Sequence, residues 1–259
     1  ADQNAATLFQ QGVDALQIAD TDKNSTSLPV FGRAPEPQPG FPVSAAMKTT
    51  LRAFLEKNQS ALDLFARAAQ CSGSRYPVDL AQVTDRDLRH IPKVKQATQF
   101  GALEALSEAD SRDGTNSARG VLLSLAAARS LEAEPLLFSQ LNRFANVVIA
   151  ADALEQMLNR VAVPADSVNQ LQSAFNRAAD AEAAGTALSR AFVGERVTTL
   201  GILDQPTEKL REMRARVAGG GAPAAAAGNL KEERQFLEDS WNQVLAARNE
   251  PLPGRLRAD

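Results

Sequence analysis

The sequence predicts an all-α fold: antiparallel helix pairs in an α-solenoid-like array, with a Pro-rich N-terminal arm and a tethered C-terminal helix. Three observations carry this. Apolar residues recur at steps of three and four along most of the chain, the spacing of one helical face. Runs of β-branched residues are short and alternation is lacking. Alanine is abundant while aromatics make up 5% of the 259 residues. Small side chains let helices approach closely, so the expected core is one of tight helix contacts rather than bulky rings.

In chain order, residues 3–18 read as a short helix bearing Leu8, Phe9, Val13 and Leu16. From Asp20 to Phe41 the composition changes. Pro29, Pro35, Pro37 and Pro39, followed by Pro42, suit an extended polyproline-like path. Such a segment is either a linker or an arm lying across its own domain or a neighbour. Ser44 is a candidate N-cap for a helix with Met47, Leu51, Phe54 and Leu55. A partner from about Ser60 carries Leu62, Phe65 and Ala68.

Residues Val94 to Arg160 are the heart of the chain. Val94, Ala97, Phe100, Leu103 and Leu106 mark one helix. Ala118, Val121, Leu122, Leu125 and Ala128 mark a second, from about Ser117 to Leu131, preceded by capping candidates in Asp113-Gly114-Thr115-Asn116. Gly101 and Gly120 lie inside these two patterns, each at a cost of about 1 kcal/mol relative to alanine. Close packing of the two helices at both glycines would account for them. Glu134-Pro135 is expected to open a third helix, with proline in its first turn. Its predicted buried stripe is Leu137, Leu141, Phe144, Val148, Ala151, Leu154 (or Glu155) and Leu158, widened by Val147, Ile149 and Ala150. That width makes it the expected central helix. Asn146, Arg143 and Asp152 leave it too polar to span a bilayer, which takes roughly 20 apolar residues.

After Val163-Pro164 come helices with Val168, Leu171, Phe175 and Ala178, and with Ala184, Leu188, Ala191 and Phe192. The second of these closes, or the next one begins, at Gly194-Glu195-Arg196. A charged helix is expected from Pro206 to about Val217, then a Gly/Ala linker, then a last helix from Leu230 to Arg248. The domain division that follows is 1–43 for the N-terminal helix and arm, 44–217 for the helical body, 218–229 for the linker, and 230–259 for the docking helix and tail. A helix on a glycine-rich tether is stable only when docked, which makes Leu237, Trp241, Val244 and Leu245 the candidate partner contacts.

The net charge of −3, with acids and bases interspersed, gives no electrostatic footprint for nucleic acid and no basic face for an anionic membrane. One cysteine, Cys71, excludes an intramolecular disulfide and a cysteine-cluster metal site. No nucleophile elbow, phosphate loop or His-Glu-x-x-His motif is present, so no catalytic residue, metal ligand or cofactor is assigned. The irregular connector from Cys71 to Lys95 holds the lone tyrosine, histidine and cysteine. There His90 is the general-base candidate, with Asp79, Asp85 and Asp87 near it in sequence. A ligand pocket at this connector would draw on Arg75, Tyr76, Asp79, His90, Glu134 and Arg143. The plainer reading of the same residues is ion pairs and caps that pin the connector. The Ala-Asp-Gln start fits what remains after small-residue signal cleavage. It predicts an exported, periplasmic protein, with a removed anchor, trimming or a cytoplasmic setting as alternatives.

Arg75-Tyr76-Pro77-Val78-Asp79, His90-Ile91-Pro92, Ala128-Arg129-Ser130-Leu131, Glu134-Pro135-Leu136 and Ser139-Gln140-Leu141 form a succession of short scattered blocks. Over residues 28–200 they resemble a group of uncharacterised helical proteins of planctomycete-type bacteria. Ile91-Pro92 departs from the more regular helix start expected there, and the tail from Pro206 lies outside the likeness. The resemblance implies an all-α body and a cell-envelope setting, and no activity. The leading expectation is a non-enzymatic structural or interaction subunit that contacts a protein partner, or further copies of itself, through its arm and last helix. The rival is a small-ligand binder or enzyme with a pocket at residues 71–95. A third reading is a peripheral subunit of a membrane complex.

Overall fold

The computed structural model describes residues 4–80, 88–205, 208, 210 and 230–247. The described elements are helices α1 (Ala5–Asp14), α2 (Asp20–Lys23), α3 (Ala45–Lys57), α4 (Gln59–Ala69), α5 (His90–Asp110), α6 (Gly114–Arg129), α7 (Leu137–Leu158), α8 (Ala165–Ala178), α9 (Ala181–Leu203) and α10 (Leu230–Ala247). The protein is all-helical. Among the described residues the sole extended pairing is an isolated bridge between Pro29 and Ala34. The expected helix from Pro206 to Val217 and the Gly/Ala linker lie outside the described residues, apart from Glu208 and Leu210.

The chain forms two compact units. The first comprises Ala1–Tyr76, Arg89–Glu134 and Phe138–Ala184; the second comprises Pro77–Leu88, Pro135–Leu137 and Gly185–Asp259. In the first, α5 and α6 make the central pair. Around it α1 packs on α4 and α5, α3 on α5, α4 on α6 and α8 on α6. These contacts join helices two or more apart in chain order as well as neighbours.

The α5–α6 pair is close because two glycines face each other. A Cβ built on Gly101 would lie 2.8 Å from the Gly120 carbonyl oxygen, and one on Gly120 would lie 2.6 Å from Ala105 N. At that separation serine hydroxyls reach the opposite backbone. Ser117 Oγ donates to Ala105 O at 2.7 Å and Ser124 Oγ to Thr98 O at 2.8 Å. Asp113 caps α6 by accepting from Asn116 N at 2.9 Å, and Ser44 caps α3 by accepting from Met47 N at 3.2 Å. α5 starts at His90, upstream of the predicted Val94. Pro92 falls in its first turn, where the missing N–H has no intrahelical partner to lose.

One end of the core is aromatic, contrary to the expectation from composition. Phe9, Phe65, Phe100, Phe54 and Phe31 form a chain of rings with neighbouring centroids 5.4–6.3 Å apart, joining α1, α4, α5 and α3 to the segment after α2. The small-residue packing expected from the alanine content lies elsewhere, where Ala105, Ala109, Ala118 and Ala153 pack around Met157 and Leu171.

The proline-rich segment is tied to its own unit. Leu28 is fully buried. Gln156 Nε2 donates to Pro37 O at 2.7 Å, and Arg160 Nη2 donates to Gln38 O and Phe41 O, both at 3.0 Å. These anchors stand on the last turns of α7 and just beyond it, so the segment lies across this helix rather than hanging as a linker.

α7 itself is inverted relative to its predicted face. None of the seven stripe residues is buried: Leu141, Val148, Ala151 and Leu158 are exposed, and Leu137, Phe144 and Leu154 are half-buried. The helix turns Ser139, Gln140, Arg143, Asn146, Ala150, Ala153 and Met157 inward instead. α7 is apolar on most of its circumference, so hydrophobicity alone does not choose a face. The inward polar groups have work there, as described next.

Candidate functional site

Gln140 is fully buried, and its Nε2 donates to Leu131 O at 2.9 Å and Glu134 O at 2.8 Å. Those carbonyls belong to the turn after α6, where the helix has run out of intrahelical partners. The side chain therefore closes the α6–α7 turn and fixes Glu134 in place. Glu134 Oε1 lies 2.7 Å from His90 Nε2, and the two side chains are 6% and 3% exposed. The contact has the distance of an ion pair without the alignment of a hydrogen bond. Tyr76 stacks on the imidazole with ring centroids 4.3 Å apart. Its hydroxyl is 2.9 Å from Ser130 Oγ, which donates to Ala127 O at 2.7 Å.

Tyr76, His90, Ser130 and Glu134 thus form one buried polar knot at the start of α5 and the end of α6. Burial, reinforced by the Glu134 charge, raises the Tyr76 phenol well above its usual range, so it stays protonated. A general base must reach the proton it takes. At this depth neither His90 Nε2 nor the Glu134 carboxylate is open to solvent. The knot's chemistry is that of a clamp: it pins Tyr76, the end of the first stretch of its unit, against α5 and α6.

The remaining candidates fall elsewhere. Arg75 is exposed and is held through its backbone, which exchanges hydrogen bonds with the Asn4 side chain at 2.7 and 2.8 Å. Asp79 is also exposed and belongs to the second unit. Cys71 is half-buried, with its thiol directed at Arg67 O at 3.5 Å. Asp85 and Asp87 lie outside the described residues. The connector therefore brings His90 and Tyr76 together with Glu134.

Arg143 lines a separate cavity of about 390 Å³ in the first unit. Three further arginines join it: Arg119 from α6, Arg129 at the end of α6, and Arg177 from α8. Leu122, Val147 and Ala174 are among the apolar residues between them, and Glu132 is the acidic one. Arg119 Nη2 contacts Glu104 Oε1 at 2.7 Å, and Arg177 Nη2 lies 3.6 Å from Glu132 Oε2. Arg129 Nη2 donates to Ala69 O at 3.3 Å. Arg143 is 5% exposed, and its Nε and Nη2 are buried without a hydrogen-bond partner. Burial holds its guanidinium below the usual arginine range, opposed by the Glu132 charge. Arg129 is lowered as well, by burial first and then by the like charge of Arg177.

Sequence reasoning named Arg143 but not its three companions, which lie on two helices and read as ordinary surface charges. The available signal was Arg143 itself, an arginine inside an apolar helix. Among the described residues no group of histidine, cysteine, aspartate or glutamate side chains is arranged to hold a metal ion, and no helix is long and apolar enough to cross a membrane.

In the second unit, Glu195 Oε1 accepts from Leu137 N at 2.9 Å and so caps the start of α7. Gly194 sits against the Pro135 carbonyl, where a side chain has no room. α9 runs unbroken through Gly194-Glu195-Arg196. Arg234 of α10 binds Asp204, at the end of α9, at 2.6 Å. Of the candidate partner contacts on α10, Leu237, Trp241 and Leu245 are half-buried and Val244 is exposed; Phe236, not singled out from the sequence, is 70% exposed.

Comparison with protein-family models, curated proteins and solved structures finds no match to this chain.

Proposed function

We propose that this protein is a non-enzymatic interaction subunit that pairs with a second copy of itself through the outer face of α7. The observation that carries the reading is the inversion of that helix. Phe138, Leu141 and Val148 are 51%, 56% and 58% exposed and follow one another on one face with Ala145 between them. Contiguous exposed apolar surface of this kind marks interaction sites. The stripe from Phe138 to Ala145 and Val148 carries no charge. An antiparallel pairing centred on Ala145 brings two small residues together and keeps each copy's Asp152 and Glu155 at opposite ends, so a second copy meets no like-charge repulsion. A self-complementary patch is what a two-fold interface needs. α10 is the weaker candidate for this contact, because Leu237, Trp241 and Leu245 are already half-buried. A periplasmic setting belongs to the same reading, supported by the Ala-Asp-Gln start and by the likeness over residues 28–200.

Light scattering tests it. The expected mass at micromolar concentration is twice the 27.6 kDa of the chain. Leu141→Glu with Val148→Glu should halve that mass with the helical circular dichroism unchanged. A wild-type monomer, or a dimer indifferent to both substitutions, refutes the reading. The second reading, a ligand binder, draws on the arginine-lined cavity at the inner face of the same helix.

A further inference from the structure

We infer that the cavity between α6, α7 and α8 binds a small organic oxyanion, a carboxylate or phosphate head on an apolar body, with Arg143 as its principal anchor. The inference is independent of the pairing proposed for the outer face of α7.

The starting point is a charge imbalance in a confined space. Four arginines line the cavity, and Glu132 is the acid among them, with Glu104 behind Arg119. Arg119 and Arg177 have 56% and 61% exposed side chains and form the mouth, where solvent screens them. Arg143 is different. It sits at 5% exposure, and the two nitrogens left without partners are Nε and Nη2. Those two N–H groups lie along one edge of the guanidinium and point the same way. That edge is the fork that takes both oxygens of a carboxylate or phosphate at once.

An unpaired buried guanidinium is costly. A protein keeps one where something satisfies it. The neighbours leave those two N–H groups unfilled: Glu132 offsets part of the charge without a hydrogen bond to them, and the Phe144 ring lies under the guanidinium carbon at 4.8 Å, which stabilises the positive charge without accepting its N–H groups. Arg129, lowered by burial and by Arg177, would also gain from an anion between the two. The space is right for a ligand larger than an inorganic ion, since about 390 Å³ falls in the range of small-molecule pockets. Leu122, Leu123, Val147 and Ala174 would cover an apolar body, and the arginines would hold the head. This division, an apolar wall with a few polar anchors, is the usual anatomy of such sites.

The probes are 4-phenylbutyrate and phenyl phosphate, with 4-phenylbutanol as the neutral counterpart, titrated calorimetrically into the full chain. At least one anion should bind with a Kd below the millimolar range and raise the melting temperature, and the alcohol should bind at least tenfold more weakly. The anion that binds more tightly identifies the head group. Arg143→Met should weaken the anion at least tenfold while leaving the free protein as stable as wild type or more so, because an unpaired charge has been removed. Arg177→Gln, at the exposed mouth, removes that charge without setting a second acid beside Glu132 and should weaken it several-fold. Failure of both anions to bind, equal binding of anion and alcohol, or undiminished binding by both variants overturns the inference.

Discussion

Gly120→Ala is the sharpest test of the packing, because helix propensity and the structure predict opposite signs. Gly120 is in the middle of α6, where alanine would stabilise the isolated helix by about 1 kcal/mol. Its new Cβ would meet Ala105 N at 2.6 Å, the Gly101 carbonyl oxygen at 2.7 Å and Ala105 Cα at 3.0 Å. All three are backbone atoms of α5, so no rotamer change makes room. The helices must part by roughly 1 Å, a gap that forfeits a quarter to a half of each dispersion contact along the seam. The same movement stretches the Ser117 and Ser124 hydrogen bonds to α5, each worth about 1 kcal/mol. Overpacking of this kind costs about 1–3 kcal/mol. With the two weakened hydrogen bonds added and the propensity gain of about 1 kcal/mol subtracted, the net expectation is a loss of about 2–4 kcal/mol. Gly185→Ala is the control. It too lies inside a helix, α9, but nothing stands within 4 Å of its would-be Cβ, so it should gain about 0.5–1 kcal/mol in the second unit. Urea unfolding followed by circular dichroism reads both. If Gly120→Ala is as stable as wild type, the close α5–α6 crossing is wrong.

Two further expectations follow from buried polar groups. Tyr76→Phe keeps the stack on His90 and removes the hydroxyl beside Ser130, so it should destabilise the first unit by about 1 kcal/mol in the same denaturation assay. A loss near zero would mean the knot is not closed there. Glu104 is raised above its ordinary value by burial, which outweighs the Arg119 pairing. A carboxyl raised in the folded state binds more protons folded than unfolded, so stability should fall as pH rises from the ordinary carboxyl value through the raised one, and level off above it. Glu104→Gln should flatten that part of the profile of urea midpoint against pH; an unchanged slope assigns the pH dependence to other groups.

The α5–α6 pair was legible from sequence in both register and intimacy. Val94, Ala97, Phe100, Leu103 and Leu106 are all buried, as their spacing requires, and the two interior glycines announced the crossing that they make. The rest of the site was legible only as isolated residues. Tyr76, His90 and Glu134 each stood out, yet they are far apart along the chain, and nothing local says that α5 begins at His90 or that Gln140 ties Glu134 beside it. Arg119, Arg129 and Arg177 carried no signal, because a charged residue on a helix is ordinarily a solvated one.

α7 separates the two kinds of information. The sequence by itself determined a helix ending at Leu158, since spacing and residue type act within a few turns; its start was expected at Pro135, but the helix begins at Leu137, with Pro135 before it. It also determined the cap Ser44, for the same local reason, and narrowed the cap of α6 to Asp113-Gly114-Thr115-Asn116, of which the structure uses Asp113. It did not determine the facing of α7, because apolar residues surround most of that helix and burial of one side costs about as little as burial of another. Tertiary structure decided it. Gln140 must reach the carbonyls of Leu131 and Glu134, and Arg160, just past the helix end, must reach those of Gln38 and Phe41. Buried carbonyls left without donors are more expensive than exposed leucines. The helix therefore turns its polar side inward, which sets Arg143 in the cavity and leaves Leu141 and Val148 facing out.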